Sequence, residues 1–215
     1  AWDALGDQRG AVVALNPKTG AVLAMVSKPS SDPNLLATHS QSKAQKAYER
    51  LLAAANKPLS NRAIAEDLYP PGSTFKLIDT AAALSTGKYH ADTLLPAPAV
   101  LDLPQSTAVL PNDDRQPCGP NNQVTFADAL RISCNTAFGN LGMTLGARAL
   151  ADQAEKFGFG RPLQIPLTVT PSSFPQTQSQ AQVAQAAIGQ FDVRATPLQM
   201  AMVAAGIAND GVVMK

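Results

Sequence analysis

Tyr69-Pro70-Pro71-Gly72-Ser73-Thr74-Phe75-Lys76 is a rigid turn that opens directly into an apolar segment, Leu77 to Leu84. Two prolines and a glycine cannot continue a helix, but they can deliver one. A helix beginning near Ser73 sets Ser73 and Lys76 one turn apart on the same face, close enough for an amine to touch a hydroxyl. The pair is a candidate nucleophile beside a candidate base. A Ser-x-x-Lys spacing is expected about once by chance in a chain of this size, and the chain holds another, Ser40-Gln41-Ser42-Lys43. That one lies in a polar run with no breaker in front and no apolar helix behind. A lysine acts as a base only when desolvation or neighbouring cations lower its pKa, so it needs a half-buried helix start. Only Ser73 and Lys76 have that setting.

At 215 residues the chain can bury a substantial core as one or two domains. Its 17 basic and 16 acidic residues leave almost no net charge, and no basic stripe with interleaved aromatics is present, which argues against a nucleic-acid partner. No apolar run reaches membrane-spanning length, and the start Ala1-Trp2-Asp3 has neither a methionine nor a signal-peptide pattern, so the chain reads as an excised piece of something longer. Cys118 and Cys134 cannot make a structural zinc site alone, and His39 and His90 stand in different settings and read as surface residues. From the residues alone the cysteines are two buried thiols or one disulfide; an extracytoplasmic location would favour the bond.

Ala11 to Leu15 and Ala21 to Val26, joined by Asn16-Pro17-Lys18-Thr19-Gly20, read as a strand hairpin, residues 11–26. A lone hairpin is marginal in water, so a larger sheet is expected, and Gly211 to Lys215 looks like a strand just starting. Gln41 to Ala55 has helical character, with Tyr48, Leu51, Leu52 and Ala55 on one face; Leu59 to Leu68 leads into the central turn. The helix from Ser73 should stop near Gly87, and Pro96 to Pro120 reads as loop with a short edge ribbon. Helical periodicity returns at Phe126, with Thr125 as N-cap, breaks at Ser133-Cys134-Asn135, and resumes through Phe138, Leu141 and Leu145. Standing alone, that polar break is an ordinary inter-helix turn rich in Ser and Asn. Ala147 to Phe157 is a further helix, Pro162 to Gln180 an exposed loop, and Thr196-Pro197 with Gln199 a capped start for the last helix.

Ser73-x-x-Lys76 followed by Ser133-x-Asn135, 60 residues on, resembles the penicillin-binding proteins and serine β-lactamases. Longer strings sharpen the likeness: Asn61-Arg62-Ala63, Tyr69 to Lys76, Ser133 to Phe138, Ile188-Gly189-Gln190, Thr196 to Ala201, and the opening Val13 to Gly20 with Val22 to Met25. The match covers nearly the whole chain and is closest to the class B penicillin-binding proteins, in particular their actinobacterial members, which Cys134 beside the second motif and Cys118 before Gly119 resemble. The resemblance implies an α/β (α+β) transpeptidase fold, an antiparallel sheet flanked by helices plus an all-helical subdomain. Residues 1–215 would be the N-terminal portion of that domain and 73–210 its mainly helical part, with the C-terminal sheet strands absent. It also implies a disulfide between Cys118 and Cys134.

By the same resemblance Ser73 is the acylated nucleophile and Lys76 its base; Ser133 relays a proton to the leaving amine, and Asn135 holds Lys76 and the substrate amide. The implied activity is a peptidoglycan D,D-transpeptidase that acts on D-Ala-D-Ala stem peptides, is acylated by β-lactams and needs no metal or cofactor. The implied location is the extracytoplasmic face of the bacterial membrane, with an N-terminal anchor outside this chain; divisome proteins are possible partners, as is the C-terminal remainder of the domain. The alternatives are a D,D-carboxypeptidase or β-lactamase-like hydrolase, or a non-catalytic β-lactam sensor or division scaffold. The chain departs from the family at the third motif, a Lys-Thr-Gly that should follow the other two. Lys18-Thr19-Gly20 precedes both and reads as a hairpin turn; the third motif is expected beyond Lys215.

Overall fold

A computed structural model describes residues 1–65, 68–163, 165–176 and 179–214. Parts of the expected 59–68 lead-in and 162–180 loop, and Lys215, lie outside that set. In chain order the elements are α1 (Trp2–Leu5), β1 (Gly10–Leu15), β2 (Val22–Lys28), α2 (Gln41–Ala53), α3 (Lys76–Ser85), β3 (Leu94–Pro96), β4 (Val100–Asp102), β5 (Val109–Pro111) and β6 (Gln123–Thr125). They continue with α4 (Phe126–Arg131), α5 (Asn135–Leu145), α6 (Ala147–Lys156), α7 (Gln180–Ala186) and α8 (Pro197–Ala208). Strand pairing is antiparallel throughout the described residues. Contacts divide the chain into two units, one of Ala1–Leu68, Leu163–Thr170 and Thr196–Lys215, the other of Tyr69–Pro162 and Pro171–Ala195.

In the first unit β1 and β2 form the hairpin, with Val12 opposite Val26 and Val13 opposite Met25. Lys18-Thr19-Gly20 is its turn: the Gly20 N–H donates to the Asn16 carbonyl, the Lys18 N–H to Asn16 Oδ1, and Gly20 has φ +74°. The alternate residues Ala11, Val13 and Leu15 turn one face of β1 onto a core of Ala63, Ile64, Val169 and Leu198. Arg62 is 1% exposed, its guanidinium spread over the carbonyls of Pro29, Ser60, Asn56 and Lys57. The two terminal nitrogens are paired with carbonyl oxygens rather than a carboxylate, while Nε has no partner among the described residues, and the cation ties four loop positions together. The Thr196 hydroxyl caps α8 by accepting from the Gln199 N–H.

The second unit is mostly helical. Leu95, Val124, Phe126, Phe138 and Leu141 lie at its centre, and Ala82, Leu150, Val183 and Ala187 form a neighbouring cluster. At Gly142 of α5 a methyl group would fall on Ala187, just beyond α7, so the absent side chain permits the close approach. Thr125 accepts from the Asp128 N–H and starts α4.

Helix α2 forms over Gln41–Ala53 as its periodicity predicts, with Tyr48 and Leu52 exposed and Leu51 half-buried. Three local expectations change. The segment after Gly72 is first a single 3-10 turn, Gly72–Phe75, and the α-helix begins at Lys76 rather than Ser73. The 94–125 region carries two ribbons rather than one, β4 with β5 and also β3 with β6, of three residues per strand, too short for a period-two pattern to register. Val212 to Met214 form no strand, because Gly211 turns the chain as it leaves α8, with its N–H on the Gly206 carbonyl.

Candidate active site

The approach to Ser73 is held by backbone pairing. Tyr69 exchanges two hydrogen bonds with Ala195, at 3.0 and 2.8 Å, and the Gly72 N–H donates to the Gly189 carbonyl at 3.0 Å. Gly72 takes φ +56°, which turns the chain into the 3-10 turn after two prolines that cannot donate. Thr74 Oγ1 closes the turn on the Pro71 carbonyl at 2.6 Å. Phe75 is fully buried, edge-on to Phe159 at 5.8 Å and stacked on Phe174 at 5.5 Å. With Phe75 anchored inside, Ser73 is left exposed and Lys76 points inward.

Lys76 Nζ donates to the Ser133 carbonyl at 2.7 Å, Ser133 Oγ at 3.0 Å and Asn135 Oδ1 at 2.7 Å. It also lies 5.6 Å from the centroid of the Phe138 ring. The structure thus brings Lys76, Ser133 and Asn135 together; Ser73 Oγ stands one 3-10 turn before Lys76 and hydrogen-bonds none of them among the described residues. Burial lowers the Lys76 pKa to about 8, partly opposed by the negative charges of Asp113 and then Asp79. When the amine is neutral it gains a lone pair, and the Ser133 hydroxyl can turn and donate to it. An amine in this setting can accept and return a proton near neutral pH.

Ser133 has φ +58°, a left-handed break between α4 and α5 that lets both its carbonyl and its hydroxyl face Lys76. Cys134 stands at the N-cap position of α5, without a side-chain cap, and is joined by a disulfide to Cys118. Asn135 Nδ2 donates to Asp113 Oδ1 at 3.0 Å and to the Pro111 carbonyl at 3.3 Å. The Thr136 N–H donates to Asn112 Oδ1 at 3.0 Å. Asn112 and Asp113 lie in the stretch read from sequence as loop with a short edge ribbon, where an Asn-Asp-Asp run is ordinary and carries no local signal of a site. Asp79 is fully buried beside Lys76 on α3, where burial holds its carboxyl well above the usual range against the pull of Lys76.

Residues 10–215 match the penicillin binding protein transpeptidase domain, and the chain belongs to that family. Among its relatives, the peptidoglycan D,D-transpeptidase PbpA of Mycolicibacterium smegmatis is 49% identical over the whole of this chain and 45% of its own length. MrdA of Escherichia coli, also a peptidoglycan D,D-transpeptidase, is 34% identical over 97% of this chain and 34% of its own length. The imipenem acyl-enzyme of penicillin-binding protein A from M. tuberculosis superposes with a TM-score of 0.93 at 46% identity, covering 99% of this chain and 50% of that one. The chain spans half or less of the length of these relatives.

Proposed function

We propose that this chain carries the acylation half of a peptidoglycan D,D-transpeptidase, with Ser73 as nucleophile and Lys76 as its base. Ser73 Oγ attacks the carbonyl of the D-Ala-D-Ala peptide bond and gives its proton to Lys76. Ser133 passes a proton to the departing nitrogen, D-alanine leaves, and a stem-peptide amine displaces Ser73 from the ester. Asn135 orients Lys76 and the substrate amide. The Ser73 N–H, at the start of the turn leading into α3, serves as one oxyanion donor. β-Lactams acylate the same oxygen. The observation that carries this reading is the convergence of Ser133 and Asn135 on a buried lysine whose pKa burial lowers to about 8, three residues beyond an exposed serine.

Residues 1–215 supply the N-terminal portion of the domain in this reading, and the remaining strands, with the third motif, come from sequence outside it. Two observations support this: no Lys-Thr-Gly follows Asn135, and the relatives are at least about twice as long. The protein works at the extracytoplasmic face of the membrane on an N-terminal anchor, and divisome proteins are its partners. No described helix is long and apolar enough to cross a membrane.

The test is intact-mass spectrometry of the full-length protein before and after penicillin, with peptide mapping. A single stable adduct on Ser73, absent in Ser73→Ala, is the expected result. An unmodified Ser73 would overturn the catalytic reading in favour of a scaffold, and rapid release of hydrolysed penicillin would mark a hydrolase.

A further inference from the structure

Three successive residues of the second motif are each tied to one loop. Cys134 is bonded to Cys118, Asn135 Nδ2 donates to Asp113 Oδ1, and the Thr136 N–H donates to Asn112 Oδ1. The loop is itself fastened: the buried Asn112 donates from Nδ2 to the carbonyls of Pro98 and Gln116, at 3.0 and 2.8 Å. Thr136 Oγ1 reaches the same Pro98 carbonyl at 2.7 Å.

We infer that Asp113 is a positioning residue for the reaction proposed above: its carboxylate fixes which end of the Asn135 amide faces Lys76 and sets a negative charge beside that amine. The inference rests on Lys76 being the base. An asparagine amide has an acceptor end and a donor end of nearly the same shape, so only its partners decide its orientation. Here the donor end faces two acceptors, Asp113 Oδ1 and the Pro111 carbonyl, and the acceptor end faces Lys76 Nζ at 2.7 Å. Flipping the amide would set NH₂ against the amine and oxygen against a carboxylate. The ionised partner makes the correct orientation the stronger one.

The same carboxylate acts on the charge of Lys76. Asp113 reaches it from the loop after β5 and Asp79 from its own helix; Ser133 and Asn135, which touch it from the α4–α5 break, are neutral, and Phe138 presents a ring face. Of the two acids Asp113 has the larger effect and raises the lysine's proton affinity. It therefore opposes the desolvation that makes Lys76 a base.

Asp113→Asn keeps an acceptor oxygen without the charge, and Asp113→Ala removes both. In the full-length protein, NMR titration of Lys76 labelled at Cε, assigned with Lys76→Ala, should give a lower midpoint in both variants. The single-turnover rate of Ser73 acylation by a β-lactam, read on its high-pH plateau, should stay within about threefold in Asp113→Asn and fall at least about tenfold in Asp113→Ala. An unmoved Lys76 midpoint in Asp113→Asn, or an unmoved plateau in Asp113→Ala, overturns the inference. If wild-type Ser73 is never acylated, the proposed function fails while the Lys76 midpoints still decide whether Asp113 acts on the amine. A cooperative melt is checked for each variant; if Asp113→Ala does not fold, Asp113→Asn decides through the midpoint.

Discussion

Ser133 meets Lys76 with two oxygens, its hydroxyl 3.0 Å and its backbone carbonyl 2.7 Å from Nζ. The carbonyl belongs to the fold and the hydroxyl to the side chain, so a substitution can remove one and keep the other. In Ser133→Ala the lysine keeps its carbonyl and Asn135 contacts, while the proton relay is lost. Acylation should fall by about 10²–10⁴-fold, but its pH profile should keep the same rising limb. In the wild type that limb should lie near pH 8, because the deprotonated amine is the active form and burial lowers its pKa to about 8. Stopped-flow acylation across pH 6 to about 10 checks both statements.

Asp79 is buried, and neither carboxyl oxygen has a hydrogen-bond partner among the described residues. Its folded-state pKa lies above the unfolded value, so its protonated form favours folding at low pH. That contribution is fully present below the unfolded pKa and is lost as pH rises through the raised folded value. Asp79→Asn should therefore raise Tm at pH 7, by about 2–4 °C for each kcal/mol gained in a domain of this size, with little effect at pH 3. Calorimetry at the two pH values tests this; a Tm gain of the same size at both would show that ionisation is not the cause.

Gly189 has φ +70°, and a methyl group there would fall on the Gly72 backbone. Its carbonyl also receives the Gly72 N–H. Gly189→Ala should cost about 1–2 kcal/mol from the left-handed backbone alone, and the clash adds to it. Because the displaced residue is the one before Ser73, acylation should fall further than the stability loss explains. Comparing rates at a temperature where the variant is fully folded separates the two effects.

Cys118 and Cys134 are separated by 16 residues, and a loop of that size is stabilised by about 3 kcal/mol when closed. Reduction, or Cys118→Ser, should lower Tm by several degrees and slow acylation, because Asn135 follows the bonded cysteine directly. Thiol counting of the denatured, non-reduced protein should find no free thiol; two would remove the disulfide and this prediction.

Some parts of this protein could be read from sequence and others could not. The hairpin follows from two apolar runs around a Gly-containing turn, and the α4 and α8 caps follow from Thr125 and Thr196. Ser73, Lys76, Ser133 and Asn135 could be named because two short strings recur at a recognisable order and spacing. Asn112 and Asp113 could not, since nothing local distinguishes a loop asparagine that receives a distant N–H from one that faces water. The sequence suggests one short ribbon within 96–120, where β4 pairs with β5, but the pairing of β3 with β6 escapes it because strands of three residues are shorter than the pattern that would reveal them. The sequence likewise places Ser73 and Lys76 one turn apart, but Lys76 makes its hydrogen bonds to Ser133 and Asn135, at positions 57 and 59 residues away.

By itself, then, the sequence determined where the chain turns, which segments are helical and which family it belongs to, because these depend on backbone restraint and on short residue strings. Tertiary structure alone decided the state of Lys76 and the orientation of Asn135. Both depend on desolvation and on partners brought from distant parts of the chain, and neither leaves a mark on the residues next to them.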